Sequence, residues 1–151
     1  LFEKYHARVP FVKQLMGLAS KTANDNGQVR TILGRLCHFD LWEPTKWGVH
    51  KALPRDEAMR KYGSNLKRAF IYKALNKLIQ GSAADQTKKA MIEVYKAGIV
   101  PHIQVHDELN VSIVDDAMRD KIKYIMENCV ELEVPSRVDP KEGKSWGTIK
   151  K

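Results

Sequence analysis

Apolar residues recur along this chain with two different periods, and the switch from one to the other marks its organisation. Residues 2 to 26 carry Phe11, Leu15, Leu18 and Ala19 at helical spacing, with Lys13, Gln14 and Lys21 on other sides and the breaker Asn24-Asp-Asn-Gly27 at the end. Pro10 suits a helix start, where its missing N–H leaves no bond unmade. Val29 and Leu33 then alternate around Gly34, which predicts a short strand, a turn and a returning arm. Residues 38 to 63 scatter Trp42, Pro44, Trp47, Gly48, Pro54 and Gly63 among polar positions and read mostly as loop. One short helix is expected within Lys51 to Tyr62, begun after Pro54 with Asp56 and Glu57 in the first turn. The two tryptophans are expected to fasten this loop as packing anchors rather than to stack on bases. From Ser64 to Ala97 helical spacing returns, interrupted at Gln80-Gly81-Ser82, so two helices or one kinked helix would fit. Its core stripe is expected to be Ala84, Thr87, Met91 and Val94; the small Gly81, Ala83 and Ala84 permit close approach of another element, Ser82 stands three residues before Asp85 in a near-capping arrangement, and Gly98 is expected to end the helix.

The period then changes to two. Ile103 and Val105, followed by Leu109, Val111 and Ile113, alternate as the arms of a β-hairpin with one buried face. A turn centred on Asp107 would pair Val105 with Leu109 and Ile103 with Val111, leaving an odd loop over residues 106 to 108. Asp115 or Asp116 caps a following helix with Met118, Ile122, Ile125, Met126 and Cys129 on one face. Val130, Leu132 and Val134 suggest one more short strand at a sheet edge before Pro135. The fold class is therefore α+β: a small antiparallel sheet built on the hairpin 103–113, with several helices packed against one face and one hairpin edge left open to pairing.

The chain has 151 residues, 43% of them hydrophobic, which is enough for a real core and excludes a disordered tail. Lys and Arg outnumber Asp and Glu by 26 to 18, a net charge of +8 that suits a partner made of phosphates. Cys37 and Cys129 lie far apart without metal-ligand spacing, so both are expected to be reduced. With neither a membrane-length apolar run nor a charged-then-apolar leader, the protein is expected in the cytoplasm. The chain opens at Leu1 rather than Met, within an apparent helix, and is expected to be part of a longer polypeptide.

Two constellations carry chemistry. The hairpin tip places His106, Asp107 and Glu108 where Asn-Gly or Asp-Gly would turn more readily, and a local rule broken at one spot points to function. On the helix, Lys73, Asn76, Lys77 and Gln80 stand at i, i+3, i+4 and i+7 and so form one polar stripe. Amides can donate to base acceptors in a minor groove while lysines reach phosphates.

Gln104-Val-His-Asp-Glu-Leu109 on a hairpin followed by a helix resembles the third catalytic motif of family A DNA polymerases, the class of bacterial repair and many phage replicative enzymes. Asn76-Lys-Leu-Ile-Gln-Gly-Ser-Ala-Ala-Asp85 followed by Lys89-Ala-Met91 is similar to the family pattern Asn-x-x-x-Gln-Gly-Thr-Ala-Ala-Asp, with Ser82 for the usual Thr. Glu3 to Val12, Gly27-Gln-Val-Arg-Thr-Ile-Leu-Gly-Arg35, Leu132-Glu-Val134 and Gly143-x-x-Trp146 also resemble family segments, whereas residues 38 to 65 match none. Tyr72 stands where many relatives carry Arg.

The resemblance implies that residues 1–98 are a fingers-derived and palm-linking helical region and residues 99–151 a palm section bearing the catalytic hairpin. It makes Asp107 a catalytic, metal-binding aspartate and Glu108 an auxiliary acid. His106 becomes a primer contact and Asn76 and Gln80 become DNA contacts, to which the reading of the polar stripe adds Lys73 and Lys77. The implied cofactor is Mg2+, two ions in the complete site. The implied partners are primer–template DNA, deoxynucleoside triphosphates and the upstream part of the polymerase, with no membrane; for a phage-encoded chain the compartment is the host cytoplasm. The family's other catalytic aspartate, in an Asp-Tyr-Ser type motif, and its nucleotide-gripping helix have no match here and are expected to precede Leu1. The section is therefore expected to be inactive alone. Two other classes compete: a non-catalytic basic nucleic-acid-binding module, which leaves the acidic tip without purpose, and a small metal-dependent hydrolase, which would gather more ligands than one His-Asp-Glu run.

Overall fold

The computed structural model describes residues 2–48 and 50–149. Two compact units divide the chain, Leu1–Ser82 and Ala83–Lys151. Both mix helices with small antiparallel sheets, as the α+β expectation requires.

In the first unit, α1 (Phe2–Arg8) precedes α2 (Pro10–Asn26), which begins on Pro10 and ends at Gly27, where φ of +70° forms a left-handed cap. Strands β1 (Gln28–Arg30) and β2 (Leu36–His38) pair antiparallel with Val29 opposite Cys37. Gly34 turns between them with φ of +88°, the backbone role its position suggested. The loop reading of residues 38 to 63 is corrected. β3 (Leu41–Pro44) pairs with β4 (Leu53–Pro54) on one side and with β5 (Leu66–Arg68) on the other. These strands are too short for a two-residue period to emerge from the sequence, although the helix expected after Pro54 is present as α3 (Arg55–Tyr62).

The core of this unit gathers Ala19, Ala23, Val29, Phe39 and Ala74, with Cys37, Ile71, Leu75 and Leu78 against it. The expected apolar face of α2 is only partly used. Ala19 is buried, but Phe11 and Leu18 are 62% and 64% exposed, because β1 and the short 3-10 turn Ile71–Lys73 meet the helix near its C-terminal half.

Residues 64 to 73 are not helical, since Phe70 turns with φ of +61° before the 3-10 turn. From there α4 (Ala74–Lys96) runs as one helix through Gln80-Gly81-Ser82, so the two-helix alternative is corrected. Glycine inside a helix costs about 1 kcal/mol. Close packing offsets that cost: a Cβ on Gly81 would stand 2.8 Å from Thr31 Cγ2, and Arg35 Nη2 donates to the Gly81 carbonyl at 2.8 Å. Ser82 Oγ donates to the Leu78 carbonyl and accepts from the Ile32 amide, so it joins the β1–β2 loop to the helix rather than capping a new one.

In the second unit, the later part of α4 buries Asp85, Ala90 and Val94, while Ala84 is exposed, which corrects the expected stripe at its first position. Gly98, at φ of +85°, ends the helix as expected. Strands β6 (Pro101–Val105) and β7 (Glu108–Val111) form the hairpin. Helix α5 (Asp116–Asn128) follows, with Asp115 accepting from the Met118 amide at 2.7 Å. Val94, Ile99 and Ile122 form the core, lined by Val111, Ile113, Met118, Ile125 and Met126. Arg119 donates to Asp120, Glu142 and Asp116, and those carboxylates raise its pKa; the network ties the start of α5 to the C-terminal segment. Residues 130 to 138 form no strand. Val130 is buried, but Val134 is 75% exposed and Pro135 has no N–H to give a ladder, so apolar alternation alone did not make a strand.

Candidate active-site hairpin and nucleic-acid face

The register of the hairpin decides what its tip presents. Val105 pairs with Glu108, Gln104 with Leu109 and Ile103 with Asn110, and a bulge near His102 then brings Pro101 opposite Val111. The expected pairs Val105–Leu109 and Ile103–Val111 are therefore corrected, and the loop holds His106 and Asp107 alone. His106 takes φ of +53° whereas Asp107 does not have a positive φ, so the two-residue loop puts a non-glycine residue in the left-handed region. Because opposed residues share a face, Ile103 and Val105 lie on the face of Glu108 and Asn110, and Leu109 lies on the face of Gln104. A single apolar face is thus not formed.

His106, Asp107 and Glu108 are all exposed. Gln104 Nε2 donates to the His106 carbonyl and holds the turn from beneath. His102 Nε2 and Ser112 Oγ meet at 3.2 Å across the far end of the hairpin. Asn110 Nδ2 is buried without a hydrogen-bond partner among the described residues, two positions from Glu108. The tip offers acidic oxygens to solvent from a short, tightly turned support. Among the described residues no group of three or more His, Cys, Asp or Glu could hold a metal ion. The tip can therefore contribute ligands to a metal site but does not complete one.

The polar stripe lies in the first unit. Lys73 closes the 3-10 turn, and Asn76, Lys77 and Gln80 follow on α4, all four exposed. Asn76 and Gln80 are one turn apart, about 6 Å along the axis, so two amides face outward together. The lysines differ. Lys77 Nζ donates to the His38 carbonyl at 3.0 Å and lies over the Phe39 ring, whereas Lys73 lies over the exposed rings of Phe70 and Tyr72. Lys77 thus also has a structural bond that the spacing could not show. Arg30 and Arg35 spend donors on the Gly34 and Gly81 carbonyls.

Sequence reasoning missed Arg68. Its Nε donates to the Asn24 carbonyl at the end of α2, its Nη1 to the Phe39 carbonyl, and its guanidinium lies 4.6 Å from the Trp42 ring centroid. A Cβ on Gly27 would meet this guanidinium at 2.9 Å, so the glycine serves the helix cap and the arginine together. Trp42 is the packing anchor expected of it. Trp47 is not, being 98% exposed. Its signal in the sequence was the basic company of Lys46, His50 and Lys51.

Comparison with known proteins gives one family. The profile of DNA polymerase family A matches residues 1–148. A DNA-directed DNA polymerase of Pseudomonas phage M6 is 37% identical over 147 residues, which are 97% of this chain and 19% of that protein. DNA polymerase I of Caldicellulosiruptor bescii is 35% identical over 154 residues, covering 95% of this chain and 16% of its own length. Among solved structures, the POL domain of Pol1 from M. smegmatis, in complex with DNA primer-template and dNTP, matches with a TM-score of 0.72 and 28% identity over 98% of this chain and 25% of that one. The chain thus spans a fifth or less of the curated relatives named here.

Proposed function

The chain belongs to DNA polymerase family A, and from that premise we propose that it is the section of a template-directed DNA polymerase that supplies one catalytic aspartate and part of the primer–template grip. The observation that carries this reading is the hairpin tip, where Asp107 stands exposed in a two-residue loop within the segment that resembles the family's third catalytic motif. In this reading residues 1–98 derive from the fingers and the link to the palm, and residues 99–151 from the palm.

Asp107 would be a ligand of the Mg2+ ions, with Glu108 as an auxiliary acid. Bound divalent ions, two in the complete site, would neutralise charge on the attacking and leaving oxygens of nucleotidyl transfer. The remaining ligands would come from the upstream part of the polymerase, in the same polypeptide or a separate one. The other residues position substrate. His106 would meet the primer end, Asn76 and Gln80 would donate to minor-groove acceptors, and Lys73 and Lys77 would face phosphates. Deoxynucleoside triphosphates are the second substrate, and the cytoplasm is the proposed compartment. No helix among the described residues is long and apolar enough to cross a membrane.

The test is primer extension by a complete polymerase containing this section. Asp107→Ala should abolish magnesium-dependent extension while primer–template affinity stays within about twofold, because a metal ligand rather than a phosphate contact is removed. Undiminished extension would refute the role of Asp107.

A further inference from the structure

Segment 45–52, between β3 and β4, lies within the stretch that resembles no family motif, and it carries Trp47 at 98% exposure. An indole left in water forfeits the burial that ordinarily places tryptophan inside a fold. Its surroundings are basic: Lys46 and Lys51 are exposed on the same segment. The support is built rather than loose. On one side the Thr45 amide donates to the Asn65 carbonyl at 3.2 Å. On the other, Tyr62 Oη donates to the Lys51 carbonyl at 3.2 Å and the His50 ring packs edge-on against Tyr62 at 5.7 Å. Gly48 makes room for this arrangement, since a Cβ there would stand 2.8 Å from His50 Nε2. Both ends of the segment are thus pinned to neighbouring elements, and the aromatic between them faces solvent.

We infer that Trp47, with Lys46 and Lys51, is a stacking platform for an unpaired base of the template strand. The inference rests on the polymerase reading and goes beyond it. An exposed aromatic on a segment that also carries two exposed lysines fits single-stranded nucleic acid, because bases stack on the ring while lysines meet phosphates. Bases inside the duplex are already stacked on both faces, whereas unpaired template bases beyond the primer end have faces free to stack on the ring. The topology agrees. β3 and β5 are antiparallel, with Trp42 opposite Arg68 and Pro44 opposite Leu66, and Arg68 leads on towards Lys73 and Asn76. Segment 45–52 therefore leaves the sheet at the opposite end, and β3 alone separates the two ends by roughly 10 Å at about 3.3 Å per residue. At the duplex rise of about 3.4 Å per nucleotide that is on the order of three nucleotides of paired strand, and fewer of an extended unpaired one. The platform and the amide stripe would meet different stretches of one strand.

Fluorescence anisotropy with the complete polymerase separates this inference from its premise. The probes are a blunt duplex and the same duplex carrying an oligothymidine template overhang. Wild type should prefer the overhang. Trp47→Ala should weaken overhang binding about tenfold and shift blunt-duplex binding less than twofold, while Trp47→Phe keeps most of the preference. Tryptophan emission should fall on binding oligothymidine in wild type, and that part of the quenching should vanish in Trp47→Phe. If Trp47→Ala keeps the overhang preference while DNA binding is intact, the platform is refuted and the polymerase reading stands; if wild type binds neither probe, both fall. Because Trp47 lies in solvent in this chain, the same variants of the 151-residue chain should match wild type in thermal unfolding, and in the complete polymerase an equal loss on both probes would refute the specific role.

Discussion

Val105 stands directly opposite Glu108 across the hairpin, which leaves His106 and Asp107 as the whole of the loop. Two adjacent acids are thereby given different supports: Asp107 projects from the turn, and Glu108 is the first rung of a ladder. His106 carries the backbone cost of that turn at φ of +53°. An L-residue in the left-handed region is disfavoured by about 1–2 kcal/mol, and glycine escapes that penalty at some cost in unfolded-state entropy. His106→Gly should therefore raise the unfolding free energy by about 0.5–1 kcal/mol. In the complete polymerase the same change should lower extension, since the imidazole proposed to meet the primer is gone. Denaturant melts and extension rates measured on one variant decide it, and a loss of stability would show that His106 is not strained.

The amide stripe makes a second separable claim. Asn76→Ala and Gln80→Ala should each weaken primer–template binding by about 1 kcal/mol, roughly fivefold, with little loss of stability because both side chains are exposed. Lys73→Ala should reduce the salt slope of binding by about one, whatever the sequence. Lys77→Ala should also lower stability, because its ammonium holds the His38 carbonyl and covers Phe39. Salt titrations of DNA binding beside thermal melts test all four; amide variants that bind as wild type does would reduce the stripe to a solvated face.

Arg68 should matter to folding rather than to DNA. Arg68→Ala removes charge-assisted bonds to the Asn24 and Phe39 carbonyls and the stack on Trp42, and should cost about 2–3 kcal/mol. Arg68→Lys should recover only part of this, because one ammonium cannot span both carbonyls and lie flat on the ring. Urea unfolding gives the comparison. Equal stability of Arg68→Ala and wild type would mean that the three contacts contribute nothing net.

How much of this could be read in the sequence depended on the range of the forces involved. The start of α2 at Pro10, the turn at Gly34, the end of α4 at Gly98 and the cap at Asp115 are set by a few adjacent residues, and each was legible. The hairpin was legible as an object but not in its register, because alternation fixes which residues share a face only once the turn type is known. β3, β4 and β5 pair across stretches of three residues or so, which leaves no periodic signal. Gly81 misled for the same reason: its compensation comes from Thr31 and Arg35, distant in sequence. The proposed site residues were legible through motif likeness, whereas the structural duties of Lys77 and Arg68 were not.

The last prediction follows from the ligand count at the tip. Among the described residues no group of three or more His, Cys, Asp or Glu could hold a metal ion, His106, Asp107 and Glu108 included, and the chain covers a quarter of the solved polymerase domain it matches. The 151-residue chain alone should therefore show no primer extension at any magnesium concentration. Supplying the upstream part of the polymerase, fused or as a separate chain, should restore it, because carboxylates from two segments would then share the ions. Within the restored enzyme the two acids should separate. Asp107→Ala should leave no measurable extension, while Glu108→Ala should retain a reduced rate, since Glu108 starts a paired strand and only assists a site that Asp107 helps to anchor. Single-turnover extension with each variant reads the difference directly. Extension by the chain alone, or a Glu108→Ala enzyme as dead as Asp107→Ala, would overturn this division of roles.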